Sequence, residues 1–381
     1  MTIVIHERLK QVPDYRTGNA IRHVLSDILM IGLLTILCNG NEYSAMRILG
    51  EEHEEELKKF LELPNGIPSQ DTFEDVFAKI NPKALSTILQ ECISDIKESA
   101  LQKCRMLVSV DGKTIRGSKG SGKKATHIVT AFASELRLVL GEIATDEKSN
   151  EITAIPKLLE MFCQKGMIIT IDAMGTQTAI AETIITQKAD YVLSVKKNQG
   201  TLHNDVSVAL EAIEYNATPA DKAEMQKAGL YALTEEKGHG RIESRECYIS
   251  TNLALLSTAP DWKGLVGFGM IVSRREVPGK IPTINREYFI YSVKHTTASE
   301  MLHIKRSHWA IENNLHWTLD VVFREDESRA RLNRAPENLN ILRKQALQLL
   351  KEDNSFKASA KQKRFRCSLN FLFALDVIGV R

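Results

Sequence analysis

Cysteine is scarce and scattered in this 381-residue chain: Cys38, Cys92, Cys104, Cys163, Cys247 and Cys367, with no C-x-x-C pair. That pattern speaks against a disulfide frame or a zinc site and points to reduced thiols in a cytoplasm. Long apolar runs are missing too. The longest, Ile28 to Cys38, is about half of the ~20 residues that span a bilayer, so it reads as a buried helix. No signal peptide opens the chain, and no membrane partner is expected. Net charge is almost absent. Fifty Lys and Arg against 48 Asp and Glu leave +2, too little to argue for nucleic acid by itself. What is present is enough apolar material, 43% of residues, to bury a large core in two or three domains.

Residues 1–100 read as a helical accessory domain. Ile21 to Cys38 is one apolar helix and Glu51 to Glu62 an acidic, solvated one. Pro68-Ser69 opens another, whose Phe73, Val76, Phe77 and Ile80 recur at the spacing of one buried side. From Arg105 the pattern changes to strands. Met106–Thr114, His127–Ser134 and Leu136–Thr145 are short apolar runs close enough to form a meander. Helix (Glu151–Lys165), strand (Ile168–Asp172), helix (Thr176–Lys188) and strand (Tyr191–Val195) follow. The order predicts an α/β mixed sheet with crossover helices. Residues 101–199 form its first part, and residues 200–285 read as an inserted, mainly β segment with strands at Arg241–Ser250 and Leu265–Arg274. Residues 286–345 form its second part, with Glu287–Val293 another strand candidate. There Thr297-Ala298-Ser299-Glu300 matches a capping box, opening a helix to about Asp320. Residues 346–381 form a basic C-terminal tail.

Two of these strands end in an aspartate, Asp111 and Asp172. A buried anion without a cation or donors costs several kcal/mol, so neither position is neutral for the fold. Glu312 lies on the helix from Thr297, with His308 and His316 four residues to either side on the same face and Trp309, Asn313 and Trp317 on the adjacent stripe. Three carboxylates crowded together repel by about 4 kcal/mol per pair at 4 Å and an effective dielectric near 20. Two divalent ions reverse that sign and perform two-metal phosphoryl transfer, one activating a water or hydroxyl and the other stabilising the leaving oxygen. The expectation is that Asp111, Asp172 and Glu312 meet around divalent metal. Capping or turn aspartates and a surface glutamate are the ordinary alternatives. A zinc site on the helix fits poorly, because H-x-x-x-E-x-x-x-H is not a zinc spacing.

Residues 103–124 hold Lys103, Arg105, Lys113, Arg116, Lys119, Lys123 and Lys124 against the single acid Asp111. A basic loop beside a metal site suits a phosphate backbone. Within it, Gly117 to Lys123 imitates a Walker A loop, but Lys124 stands where a magnesium-binding hydroxyl belongs and the loop does not directly follow its strand.

Taken together these residues resemble the H-repeat-associated transposases of bacterial insertion sequences, in the DDE superfamily. The resemblance covers nearly the whole chain. It rests on Asp71-Thr72-Phe73 after Pro68-Ser69, Asp111-Gly112-Lys113 with Arg116-Gly117-Ser118, and Lys148-Ser149-Asn150-Glu151-Ile152. It continues through Thr170 to Met174, Asp190-Tyr191-Val192 with Lys196-Lys197-Asn198-Gln199, and His239 to Glu243. The most specific stretch is His308 to Trp317, followed by Leu319-Asp320-Val321.

The resemblance implies an RNase H-like fold with Asp111, Asp172 and Glu312 as catalytic metal ligands, split by a β-rich insertion. It further implies two Mg²⁺ ions, with Mn²⁺ as a substitute. The partners would be DNA, both element terminal repeats and target DNA, bound by a homodimer that brings two ends together. Related enzymes often carry an arginine four residues before the glutamate and a lysine soon after it; here His308 and His316 flank Glu312. Candidate DNA contacts are Lys113, Arg116, Lys119, Lys123, Lys124, Lys196, Lys197, Arg241, His308 and His316. The implied reaction is nicking of element ends by water, then attack of the freed 3′-hydroxyl on target DNA. An RNase H-like nuclease without strand transfer and an inactive DNA-binding relic are the rival readings.

Overall fold

The chain is described by a computed structural model over residues 5–18, 21–91, 105–120, 122, 124–145, 150–238 and 240–380. Cys92, Lys103, Cys104, Lys123, Lys148, Ser149 and His239 lie outside the described residues.

Met106–Thr114 forms strand β1, at the middle of one half of a nine-stranded mixed sheet. The others are β2 (His127–Ala133), β3 (Leu138–Thr145), β4 (Met167–Ile171), β5 (Asp190–Val195), β6 (Tyr231–Gly238), β7 (Arg241–Ser250), β8 (Gly267–Glu276) and β9 (Thr283–Tyr291). The spatial order is β3-β2-β1-β4-β5-β9-β8-β7-β6. β1 runs antiparallel to β2 and parallel to β4, and β4 runs parallel to β5. That arrangement of the first five strands is RNase H-like. Every residue of β4 is buried, because a central parallel strand is covered on both faces.

Among the described residues, six helices precede the sheet: α1 (Ile5–Leu9), α2 (Leu25–Leu37), α3 (Tyr43–Glu52), α4 (Glu54–Leu57), α5 (Gln70–Lys79) and α6 (Pro82–Glu91). All 13 residues of α2 are buried, including Asp27. The Asp27 carboxylate is met by the backbone N–H groups of Glu62 (3.1 Å) and Leu63 (3.0 Å). Ser69 caps α5, accepting from the N–H of Thr72, and Phe73, Val76 and Phe77 are buried on the helix with Ile80 just beyond it.

Helices α7 (Glu151–Phe162) and α8 (Thr178–Thr186) are the crossovers. Residues 200–285, expected to be mainly β, open instead with two helices, α9 (Gly200–Asn216) and α10 (Pro219–Lys227). The strands that follow form no separate sheet. β9 pairs antiparallel with β5, and β8, β7 and β6 extend the same sheet outward. An open edge at β5 is a row of unpaired backbone donors and acceptors, and β9 satisfies it.

From Thr297, whose hydroxyl accepts from the Glu300 N–H, runs helix α11 (Ala298–Ile311). It passes through a π-helical turn at Glu312–His316 into α12 (Trp317–Val321). Then come α13 (Ala335–Glu352), α14 (Ala360–Leu369) and α15 (Phe371–Val377). The basic C-terminal segment is thus folded, with two helices of its own after residue 352. Arg364 is buried, its guanidinium donating to the Ile36 carbonyl (Nη2, 2.7 Å), and Lys363 donates to the Leu350 carbonyl (2.8 Å). The N-terminal helices do not pack alone: one apolar cluster joins α2, α5 and α6 to Ile311, Leu315 and Leu319 and to α13 and α15.

Candidate active site

β1 and β4 are parallel neighbours with Val110 opposite Ile171. Asp111 and Asp172 follow those two residues directly. They therefore leave adjacent strands, about 4.8 Å apart, at the same level. Asp111 remains within β1, paired across to Thr130, and is mostly buried. Asp172 begins the turn at Ala173–Gly175 and is exposed, with Lys196 Nζ 3.6 Å from its Oδ1.

The third acid arrives on α11, which lies across the β1 and β4 strands. Ser134 Oγ donates to the Ser307 carbonyl (3.0 Å), and Thr170 Oγ1 lies 2.8 Å from His308 Nδ1. These bonds set the helix position one turn before Glu312. Glu312 itself is exposed and opens the π-helical turn.

Electrostatics report how the acids sit. Burial pushes the Asp111 carboxyl up to about 7; the Gly112 N–H bonded to it works the other way, and the charges of Asp172, Glu312 and Glu151 raise it further. Glu312 is raised by burial and by Asp172, and relieved by Lys196. The three sequence candidates thus lie within mutual electrostatic reach. Among the described residues, no three His, Cys, Asp or Glu side chains close into a preformed metal cage. An all-oxygen set of carboxylates whose negative charges disfavour one another fits a hard divalent cation such as Mg²⁺ or Mn²⁺.

The cationic candidates divide. Lys196, Lys197, Arg116, Lys119 and Lys124 are exposed at the surface. Lys113 turns inward, where its ammonium meets Asp320 (2.7 Å) and Glu325. Arg241 pairs with Glu243 at the start of β7, the far side of the sheet from Asp111. His308 and His316 also turn inward. His316 Nδ1 stands 3.5 Å from Asp111 Oδ2, and burial drives its pKa down to about 3, so the ring is neutral. Burial and Lys305 depress His308 to about 4. Their geometry ties them to the strands, not to a phosphate outside.

Two further groups were given no role by the sequence reading. Glu325 is fully buried and takes Lys113, Asn340 Nδ2 (2.7 Å) and Arg343 Nη1 (3.6 Å). Lys113 and Arg343 hold its carboxyl down at about 2. It sits in a run, Glu325-Asp326-Glu327, that reads as solvated surface; only the side-chain alternation of β1, which puts Lys113 on the same face as Asp111, hints that an acid must meet that lysine. Glu151, at the start of α7, is buried with its Oε1 2.6 Å from His127 Nε2, while His127 Nδ1 meets Thr114 Oγ1 (2.8 Å). A Cβ on Gly112 would stand 2.4 Å from both Glu151 Oε1 and His127 Nε2. The glycine after Asp111 is therefore a packing requirement.

Comparison with known proteins identifies the family. A family model described as "Transposase DDE domain" matches residues 102–349, and one described as "DDE_Tnp_1-associated" matches residues 6–93. YncI of Escherichia coli O157:H7, provisionally named a transposase, is 38% identical over 374 residues, 97% of this chain and 92% of that one. YhhI of Escherichia coli K12, provisionally named an H repeat-associated transposase, is 35% identical over 382 residues, 98% of this chain and 97% of that one. Among solved structures, a piggyBac transposase synaptic complex with hairpin DNA aligns with 98% of this chain and 76% of that one, at TM-score 0.43 and 11% identity. That likeness is too slight to carry weight; the family match and the full-length relatives do. The chain belongs to the DDE transposase family, among its H repeat-associated members.

Proposed function

We propose that this protein cuts DNA at the ends of an insertion sequence and joins the freed 3′-hydroxyls to target DNA, with Asp111, Asp172 and Glu312 as its catalytic carboxylates. The observation that carries the reading is the pairing of Val110 with Ile171, which brings two acids 61 residues apart in sequence (111 and 172) out side by side below the helix of Glu312. Asp111, Asp172 and Glu312 would hold two Mg²⁺ ions, which supply an activated water or hydroxyl and stabilise the leaving oxygen.

The chain's own groups prepare that site. Ser134, Thr170 and His308 lock α11 to the strands, so Glu312 is delivered at a fixed level. His316, kept neutral by burial, packs against Asp111 without adding a charge that would compete for it. Lys196 beside Asp172, with Lys197 next to it, would bind the phosphates flanking the reacting bond. Two such chains, one per element end, would act together, because both ends must reach one target.

The test is Glu312→Gln, assayed for Mg²⁺-dependent nicking and strand joining on DNA carrying the inverted repeats that flank the reading frame. Glu312 is exposed, so the variant should fold and unfold like the parent while losing both activities. Undiminished nicking would remove Glu312 from the mechanism. Nicking without joined product in the parent would reduce the protein to a nuclease.

A further inference from the structure

The basic loop after β1 is not alone. Its Gly117 lies so close to the segment after Glu325 that a Cβ there would stand 2.3 Å from the Ser328 carbonyl oxygen and 2.6 Å from that of Asp326. Arg331 Nε donates to the Gly117 carbonyl (3.0 Å), and the Arg116 N–H donates to Asp326 Oδ1 (2.9 Å). Two stretches more than 200 residues apart in sequence are thus held together by one side-chain-to-backbone bond from each direction. The second stretch, 328–334, is irregular and carries Arg329, Arg331 and Arg334, all exposed. The side chains of Arg329 and Arg334 make no hydrogen bond or ion pair among the described residues. Beside Arg331 and Lys124 lies a cleft of about 340 Å³ that also includes Ser118, Thr126 and Asn333. Of the carboxylates here, Asp326 is engaged by Arg116, and Glu337 also lines the cleft.

We propose that Arg329, Arg331 and Arg334 form, with Arg116, Lys119 and Lys124, a two-sided clamp for the phosphate backbone of duplex DNA beside the carboxylate site. The proposal rests on the transposase reading above. Three exposed arginines gathered in one short stretch repel each other, and only Arg331 spends a bond on the fold, whereas the guanidinium fork matches phosphate oxygens in pairs. Their distance suits the role. Arg116 is five residues beyond Asp111, at most about 17 Å of extended chain at ~3.3 Å per residue. That is about five base pairs of duplex at 3.4 Å each, so a single duplex is long enough to reach both the carboxylates and the clamp.

The experiment measures binding of the full chain to a fluorescently labelled duplex of arbitrary sequence, in chelator, as salt is varied. The double variant R329A/R334A removes no bond of the folded chain and should bind more weakly on every sequence. Each lost phosphate contact lowers the slope of log affinity against log salt by about 0.9, so the double variant should lose about 1.8. R331A, which also gives up its bond to Gly117, should lower the slope by about 0.9 more when added; circular dichroism and the thermal midpoint report whether it stays folded. Parent binding with an unchanged slope in R329A/R334A overturns the clamp and leaves the transposase reading standing. A folded parent chain that does not bind duplex at any salt overturns both.

Discussion

Asp111→Asn should stabilise the metal-free protein while abolishing its chemistry, and the gain should depend on pH. The Asp111 carboxyl is pushed from 3.8 to about 7 by burial and by the nearby acids. The folded chain therefore binds a proton that the unfolded chain releases near pH 4. Between those two values the native state holds more protons than the unfolded state, so stability falls as pH rises and the loss is complete just above 7. From pH 5 to pH 8 the group crosses about two units of that window, or ~2.7 kcal/mol at 1.36 kcal/mol per unit. Asparagine has no charge to bury, so Asp111→Asn should be steadier than the parent by about that much more at pH 8 than at pH 5. Urea unfolding in chelator at the two pH values measures this directly. Saturating Mg²⁺ should close most of the gap by stabilising the parent and not the variant. Parallel stability curves for parent and variant from pH 5 to pH 8 would refute the claim that Asp111 is a crowded anion awaiting a cation.

Glu325→Gln removes the charge that meets Lys113 and Arg343 in a fully buried setting, and unfolding measurements should show a loss of about 3–5 kcal/mol. Gly112→Ala should destabilise the chain and depress nicking together, because the new methyl meets Glu151 and His127 at 2.4 Å; a variant as stable and active as the parent would show that those side chains move aside freely. Lys196→Ala should weaken nicking at low substrate DNA concentration and leave the thermal midpoint near the parent's, since the lysine is exposed and its pairing with Asp172 is open to water.

The chain's own letters carried most of the strands and the helices outside residues 200–285, and they singled out three acids as candidates. Local pattern does this work: Met106–Val110 and Met167–Ile171 are apolar stretches short enough to be strands, and an aspartate directly after each stands out against them. Thr297 announces the helix of Glu312 by a cap that needs only its neighbours. The π-helical turn at Glu312–His316 was not legible, because it changes only which carbonyl each N–H meets. The role of the positive charges was not legible either. Lys113 looks like Lys119 in a sequence, and only the approach of Glu325 from 212 residues away turns one inward while the other stays in water.

Residue type and spacing, then, determine what this protein contains: a mixed sheet, three acids and many cations. Which cation pairs with a buried carboxylate and which stays in water is decided by tertiary contact. Burial sets the cost of a charge, and burial is a property of the packed chain. Tertiary contact likewise brings the stretch of Arg329, Arg331 and Arg334 beside Gly117: Gly117 and Ser328 touch only when segments more than 200 residues apart in sequence pack together.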